Sequence, residues 1–248
     1  MTRREISFDF DELLNKLQIR NVIIVGHDWG SFIANRFALF QPQRVSKVVL
    51  LSVPFVPPKR EVLSLYEVAK HEPIYTYMMR WNEESNQQHI ENHLREFLSN
   101  MYSYPNELPK EFNLNEYGTL EWVNNIAPHF RKNSNTLLGE HFDWLVNQFK
   151  TFGIKNSLKL YNSDLWLLNQ QCEIDLPSMI QQPLFQMFFA GDLIVTNALR
   201  NKAIENSNQN NKWQTVQDGL THFYALEKPE LVANSIIEWI ESFISCKI

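Results

Sequence analysis

The chain has 248 residues, 44% of them apolar and 21% charged, a balance that supplies a buried core and excludes a disordered or collagen-like chain. With 23 Lys and Arg against 28 Asp and Glu, the formal net charge is -5 and no block of like charge stands out, so nothing supports a nucleic-acid-binding surface. Cys172 and Cys246 lie far apart and no Cys/His cluster has metal-ligand spacing, so no disulfide framework, metal or cofactor is expected, and a reducing, cytoplasmic compartment is.

Met1-Thr2-Arg3-Arg4 leads into acidic and polar residues rather than an apolar stretch, so no signal peptide is readable. The apolar runs at 22–25 and 48–51 are too short to span a bilayer, and Cys246 stands one position too late for a prenylation box. Phe10, Leu13, Leu14 and Leu17 recur at helical spacing, which predicts a helix over 8–18 capped by Ser7 or Asp9, with one face on a sheet. Asn21-Val22-Ile23-Ile24-Val25-Gly26 reads as a strand of the kind buried on both faces in a parallel sheet. A helix over 31–40, closed by Gln41-Pro42, and a second strand over 47–53 follow.

This strand, turn, helix, strand unit predicts a parallel α/β sheet with its chemistry at the strands' carboxyl ends, near residue 28. From Pro54-Phe55-Val56-Pro57-Pro58 to Gln182-Pro183 the texture turns aromatic and helical. Strand character returns at 184–189 and 213–216, and a last helix opens with Pro229 and aligns Val232, Ile236, Trp239, Ile240 and Phe243.

Gly26-His27-Asp28-Trp29-Gly30 sits between a strand and a helix, with small residues two before and two after Asp28, as in a nucleophile elbow. Alone, this pattern is a weak signal, because an aspartate is also an ordinary helix cap at a strand-to-helix loop. Val25-Gly26-His27-Asp28-Trp29-Gly30-Ser31, with Val49-Leu50-Leu51-Ser52-Val53-Pro54-Phe55 after it, closely resembles the epoxide hydrolases of the α/β-hydrolase fold. Haloalkane dehalogenases share the elbow. An aspartate, with pKa near about 4, is ionised at neutral pH and attacks a saturated carbon without a base. The resulting alkyl ester then needs a histidine to activate water and a second carboxylate to orient the ring.

The resemblance implies Asp28 as nucleophile, His222 in Gly219-Leu220-Thr221-His222-Phe223 as base, and Asp192 in Ala190-Gly191-Asp192 as orienting acid, with Glu61 a weak substitute for Asp192. It implies the Trp29 backbone N–H as an oxyanion donor, and His27, Trp29 and Phe55 as substrate-binding residues. Pro73-Ile74-Tyr75-Thr76-Tyr77 and Leu158-Lys159-Leu160-Tyr161-Asn162 resemble the lid segments that carry two ring-opening tyrosines, at Tyr77 and Tyr161, with Tyr75 one short register error from Tyr77. A phenol stays protonated at neutral pH and can give its proton to the departing oxygen.

The expectation is therefore a partial α/β-hydrolase fold with about four strands, a core of residues 1–56 and 184–248, and a helical cap over 57–183. The substrate would be a small epoxide, with no nucleic acid or membrane span and an unspecified oligomeric state. Only one strand fits before Asp28, so the family's first four strands and its His-Gly-x-Pro loop are expected to be missing and the 22–26 strand to form an edge. A truncated or incompletely recorded chain that alkylates itself and turns over poorly is the corresponding expectation. A halide-cleaving hydrolase with the same triad, and an inactive fragment or binding scaffold, remain the alternatives.

Overall fold

A computed structural model describes residues 1–132, 136–205 and 211–243. Strands β1 (Val22–His27), β2 (Val45–Leu51), β3 (Leu184–Phe189) and β4 (Asn211–Val216) form one parallel sheet in that order. The expected four-stranded parallel arrangement is thus present, with strand ends within two residues of those read from the sequence. The central strands alternate their side chains between two cores. Val48, Leu50 and Leu184 join Leu14, Ala34 and Phe37 on one face, while Val49, Phe185 and Met187 join Val232 and Trp239 of the helix Pro229–Glu241 on the other.

Strand β1 departs from two-sided burial. Val22 and Ile24 pack on the first core, whereas Ile23 and Val25 are 37% and 49% exposed. The cause is position: β1 has β2 on one side and is the edge of the sheet among the described residues.

Helix α1 (Arg3–Lys16) begins five residues before the predicted start, and its cap is Thr2 rather than Ser7 or Asp9. The Thr2 hydroxyl accepts from Glu5 N–H, and the Glu5 carboxylate accepts from Thr2 N–H at 2.6 Å, a reciprocal box that satisfies two end donors. The helix packs chiefly on α2 (Trp29–Phe40), and its Leu14 joins the core on one face of the sheet. Of the four apolar residues that announced it, Leu14 alone is buried; Leu13 and Leu17 are exposed, and Phe10 meets Phe37 edge-on at 5.7 Å.

What seats α1 is polar. Glu173 accepts from Arg3 Nε at 2.5 Å and from Arg36 Nε at 2.8 Å, with all three side chains at 7% exposure or less. Asn169 Oδ1 accepts from Arg3 N–H at 2.7 Å, and both guanidiniums lie over the Phe32 ring. One compact unit comprises 1–61 with 169–248 and the other 62–168, and within the first Asn169 and Glu173 tie the end of the helix Ser163–Glu173 to α1 and α2.

The second unit is helical and has its own aromatic core of Tyr77, Trp81, Phe97, Tyr117 and Trp122. Trp81 Nε1 donates to the Tyr117 carbonyl at 2.6 Å. Cys172 is a free thiol, and Cys246 lies outside the described residues. Among the described residues no helix is long and apolar enough to cross a membrane.

Replacing Glu173 by Gln would leave two buried guanidiniums without a compensating charge, and removing one partner of such a cluster costs about 3–5 kcal/mol. The urea midpoint of Glu173→Gln should fall accordingly; a loss below about 1 kcal/mol would contradict the anchoring role.

Candidate active site

The first functional position is a strained turn. Asp28 stands between β1 and α2 with φ 53° and ψ -122°, a backbone region that side-chain-bearing residues rarely adopt and that surrounding bonds must enforce. Ser31 supplies them: its N–H donates to the Asp28 carbonyl at 2.9 Å, and its hydroxyl lies 2.8 Å from the Gly26 carbonyl and 3.1 Å from that of Leu51. A Cβ on Gly26 would lie 2.2 Å from the Gly30 carbonyl oxygen, so only glycine fits there. At Gly30 a Cβ would meet nothing within 4 Å, so the steric demand expected on both sides of Asp28 holds on one side.

The other two groups come from loops beyond β3 and β4. Gly191 N–H donates to the Gly219 carbonyl at 2.7 Å, and a Cβ on Gly191 would sit 2.5 Å from the Leu220 carbonyl oxygen. That close approach sets Asp192 beside His222. His222 Nδ1 lies 2.9 Å from Asp192 Oδ2, and His222 Nε2 lies 3.3 Å from Asp28 Oδ1. The other Asp192 oxygen accepts the N–H groups of Ile194 and Val195 at 2.8 and 3.2 Å. His27 Nε2–H donates to the His222 carbonyl at 2.9 Å, and Glu227 accepts Thr221 N–H at 2.8 Å, so the loop bearing the imidazole is held on both sides.

Charge follows from this geometry. Burial opposes the imidazolium, but Asp192 and Asp28 outweigh it and raise the His222 pKa to about 10. Burial likewise opposes the Asp192 carboxylate, yet His222, Ser52 and the Ile194 N–H lower it to about 2. Asp28 is also held below its ordinary value: against desolvation stand the His222 side chain and the Trp29 backbone N–H. Desolvation and the neighbouring His222 charge lower the His27 pKa. Asp192 is wholly buried, whereas the Asp28 side chain keeps 31% of its surface exposed.

The structure therefore brings together Asp28, Asp192 and His222, and the Trp29 N–H helps hold the Asp28 carboxyl below its ordinary value. His27, expected to touch substrate, spends its Nε2 on the His222 backbone. Phe55 is 8% exposed and packs in the core, its N–H given to Gln186 Oε1 at 2.8 Å. Tyr77 and Tyr161 lie in the second unit, their ring centroids 6.0 Å apart and each ring 4.9 Å from Trp81. Glu61 is exposed. Among the described residues no group of three or more His, Cys, Asp or Glu is placed to hold a metal ion.

Sequence reasoning missed Ser52. Its hydroxyl lies 2.6 Å from Asp192 Oδ2 and 2.9 Å from His222 Nδ1. The available signal was a polar residue at the carboxyl end of the buried strand next to Asp28.

A pH dependence of stability follows. The folded-state pKa of His222 is raised from 6.5 to about 10, so its contribution is complete below the lower value and is lost as pH rises through the higher. Asp192, lowered from 3.8 to about 2, contributes above the first value and loses that contribution as pH falls through the second. The melting-temperature gap between the wild type and His222→Gln should therefore narrow as pH rises from neutrality to about 10. A gap that widens with alkali would contradict the assigned charge.

Residues 4–241 match the alpha/beta hydrolase fold family. The bifunctional epoxide hydrolase 2 of Rattus norvegicus is 25% identical over 93% of this chain, and that of Sus scrofa is 27% identical over 94%. The chain spans 41% of the length of each. Among solved structures, epoxide hydrolase A from Mycobacterium thermoresistibile superposes with a TM-score of 0.71 at 19% identity, over 97% of this chain and 75% of its own. A laboratory-evolved variant of potato epoxide hydrolase gives 0.74 at 18% identity, over 97% and 76%. At those identities the structures speak for the fold, and with the match across nearly the whole chain they place this protein in the alpha/beta hydrolase fold family.

Proposed function

We propose that this protein hydrolyses an epoxide to a vicinal diol through an alkyl ester on Asp28. The observation that carries the reading is a single imidazole set between two carboxylates, Nε2 at 3.3 Å from the partly exposed Asp28 and Nδ1 at 2.9 Å from the buried Asp192. The names of the relatives support the substrate class.

In this reading the ionised Asp28 attacks a ring carbon and the ring C–O bond breaks. The departing oxygen takes a proton from a phenol, the role proposed for Tyr77 and Tyr161. Ester formation removes the negative charge of Asp28, one of the two charges that keep His222 protonated. The His222 pKa therefore falls, and the proton it releases balances the one the departing oxygen has taken. Neutral His222 then accepts a proton from water, which attacks the Asp28 carboxyl carbon. The Trp29 N–H, which helps lower the Asp28 pKa, would receive the developing oxyanion. Collapse frees the diol and restores the resting carboxylate and imidazolium.

Incubation with styrene oxide, followed by intact mass and diol assay, tests the scheme. His222→Gln should accumulate a stoichiometric adduct without diol, Asp28→Asn should form neither, and Tyr77→Phe with Tyr161→Phe should slow ring opening by about a hundredfold or more. Diol release by Asp28→Asn would overturn the reading. Halide release from an alkyl halide, indifferent to both tyrosine changes, would reassign the same triad to carbon–halogen bonds.

Single-turnover kinetics give a second check. Breakdown of the adduct should rise with pH to a plateau as His222 loses its proton; breakdown that falls as pH rises would contradict the base role.

A further inference from the structure

Ser52 follows β2, is fully buried, and has φ 67°, the second side-chain-bearing residue after Asp28 to be held in the left-handed region at a strand's carboxyl end. Its N–H donates to the Met187 carbonyl at 2.9 Å, which fixes its place across β3. An ionised carboxylate can only accept, so the Ser52 hydroxyl donates to Asp192 Oδ2 at 2.6 Å. Its lone pair then faces His222 Nδ1 at 2.9 Å, the same distance that separates Nδ1 from Asp192 Oδ2. With Nδ1 protonated, one hydrogen is shared by two acceptors that are themselves bonded to each other.

We propose that Ser52 is a positioning residue, a second acceptor for His222 Nδ1–H and a donor to Asp192, that holds the imidazole in place while Asp28 changes between carboxylate and ester. The inference rests on the Asp28 and His222 roles above. It matters because ester formation removes the charged partner of Nε2, after which the ring's orienting hydrogen bonds are those at Nδ1. Loss of the hydroxyl removes an acceptor from the imidazolium Nδ1–H, which favours the neutral ring, while Asp192 stays ionised through the range in which His222 titrates.

Ser52→Gly removes the hydroxyl while relaxing the left-handed backbone, and Ser52→Ala removes it without that relaxation. The titration of His222, followed by NMR of labelled imidazole, and the two single-turnover rates should be measured in both variants. The charged and titratable groups facing His222, namely Asp28, Asp192 and His27, are unchanged. His222 should titrate about one pH unit lower in both. At the alkaline plateau, where His222 is deprotonated in every variant, adduct breakdown should slow by about tenfold, adduct formation should change by less than about twofold, and Ser52→Gly should melt no lower than Ser52→Ala. Unchanged His222 titration and breakdown in both variants would overturn the proposal. Should styrene oxide form no adduct in the wild type, the functional reading fails, and the NMR shift alone then decides whether Ser52 governs His222.

Discussion

One imidazole suspended between two carboxylates is the interaction around which the first unit is arranged. Burying an imidazolium is costly unless opposite charge lies at hydrogen-bond distance, and here both ring nitrogens have it. The two carboxylates are not equivalent. Asp192 is enclosed, with backbone donors on one oxygen and Ser52 and His222 on the other, so its charge is fixed. Asp28 is partly exposed at the start of α2 and is the more open of the two. That asymmetry supports the proposed division into nucleophile and orienting acid.

The sheet explains how four such groups converge. Parallel strands end on one edge, and the carboxyl ends of β1, β2, β3 and β4 lead to Asp28, Ser52, Asp192 and His222 in turn. Strain collects there as well, since Asp28 and Ser52, on adjacent strands, both hold left-handed backbones. Close approaches that exclude a Cβ at Gly26 and Gly191 let the loops come near enough for 2.9 and 3.3 Å contacts to form. His27 and Glu227 add the clamps that keep the His222 loop on that edge.

The strands were legible because each leaves a local mark, a short β-branched or apolar run bounded by turn residues, whereas Asp28, Asp192 and His222 were singled out through resemblance, and the structure adds that they lie together. Other features leave none. Arg3, Arg36 and Glu173 form an anchor across more than a hundred residues, and no local pattern distinguishes buried arginines from solvated ones. The apolar spacing of Phe10, Leu13, Leu14 and Leu17 marked the helix but neither its start nor its cap, which is Thr2, and of the four only Leu14 is buried. Ser52 was opaque because serine is common and a left-handed φ cannot be read from a residue's name. Tyr77 and Tyr161 entered through resemblance, and the structure adds that they share one aromatic cluster with Trp81.

The central claim is that water reaches the product by way of the Asp28 carboxyl group. A single turnover of styrene oxide in heavy-oxygen water, followed by peptide mass analysis, tests it most directly. The account predicts that the first turnover leaves the heavy oxygen in the peptide containing Asp28 and that the first diol released carries none. Heavy oxygen in the first diol, with an unlabelled Asp28 peptide, would mean that water attacks the substrate directly, and the covalent route would be wrong.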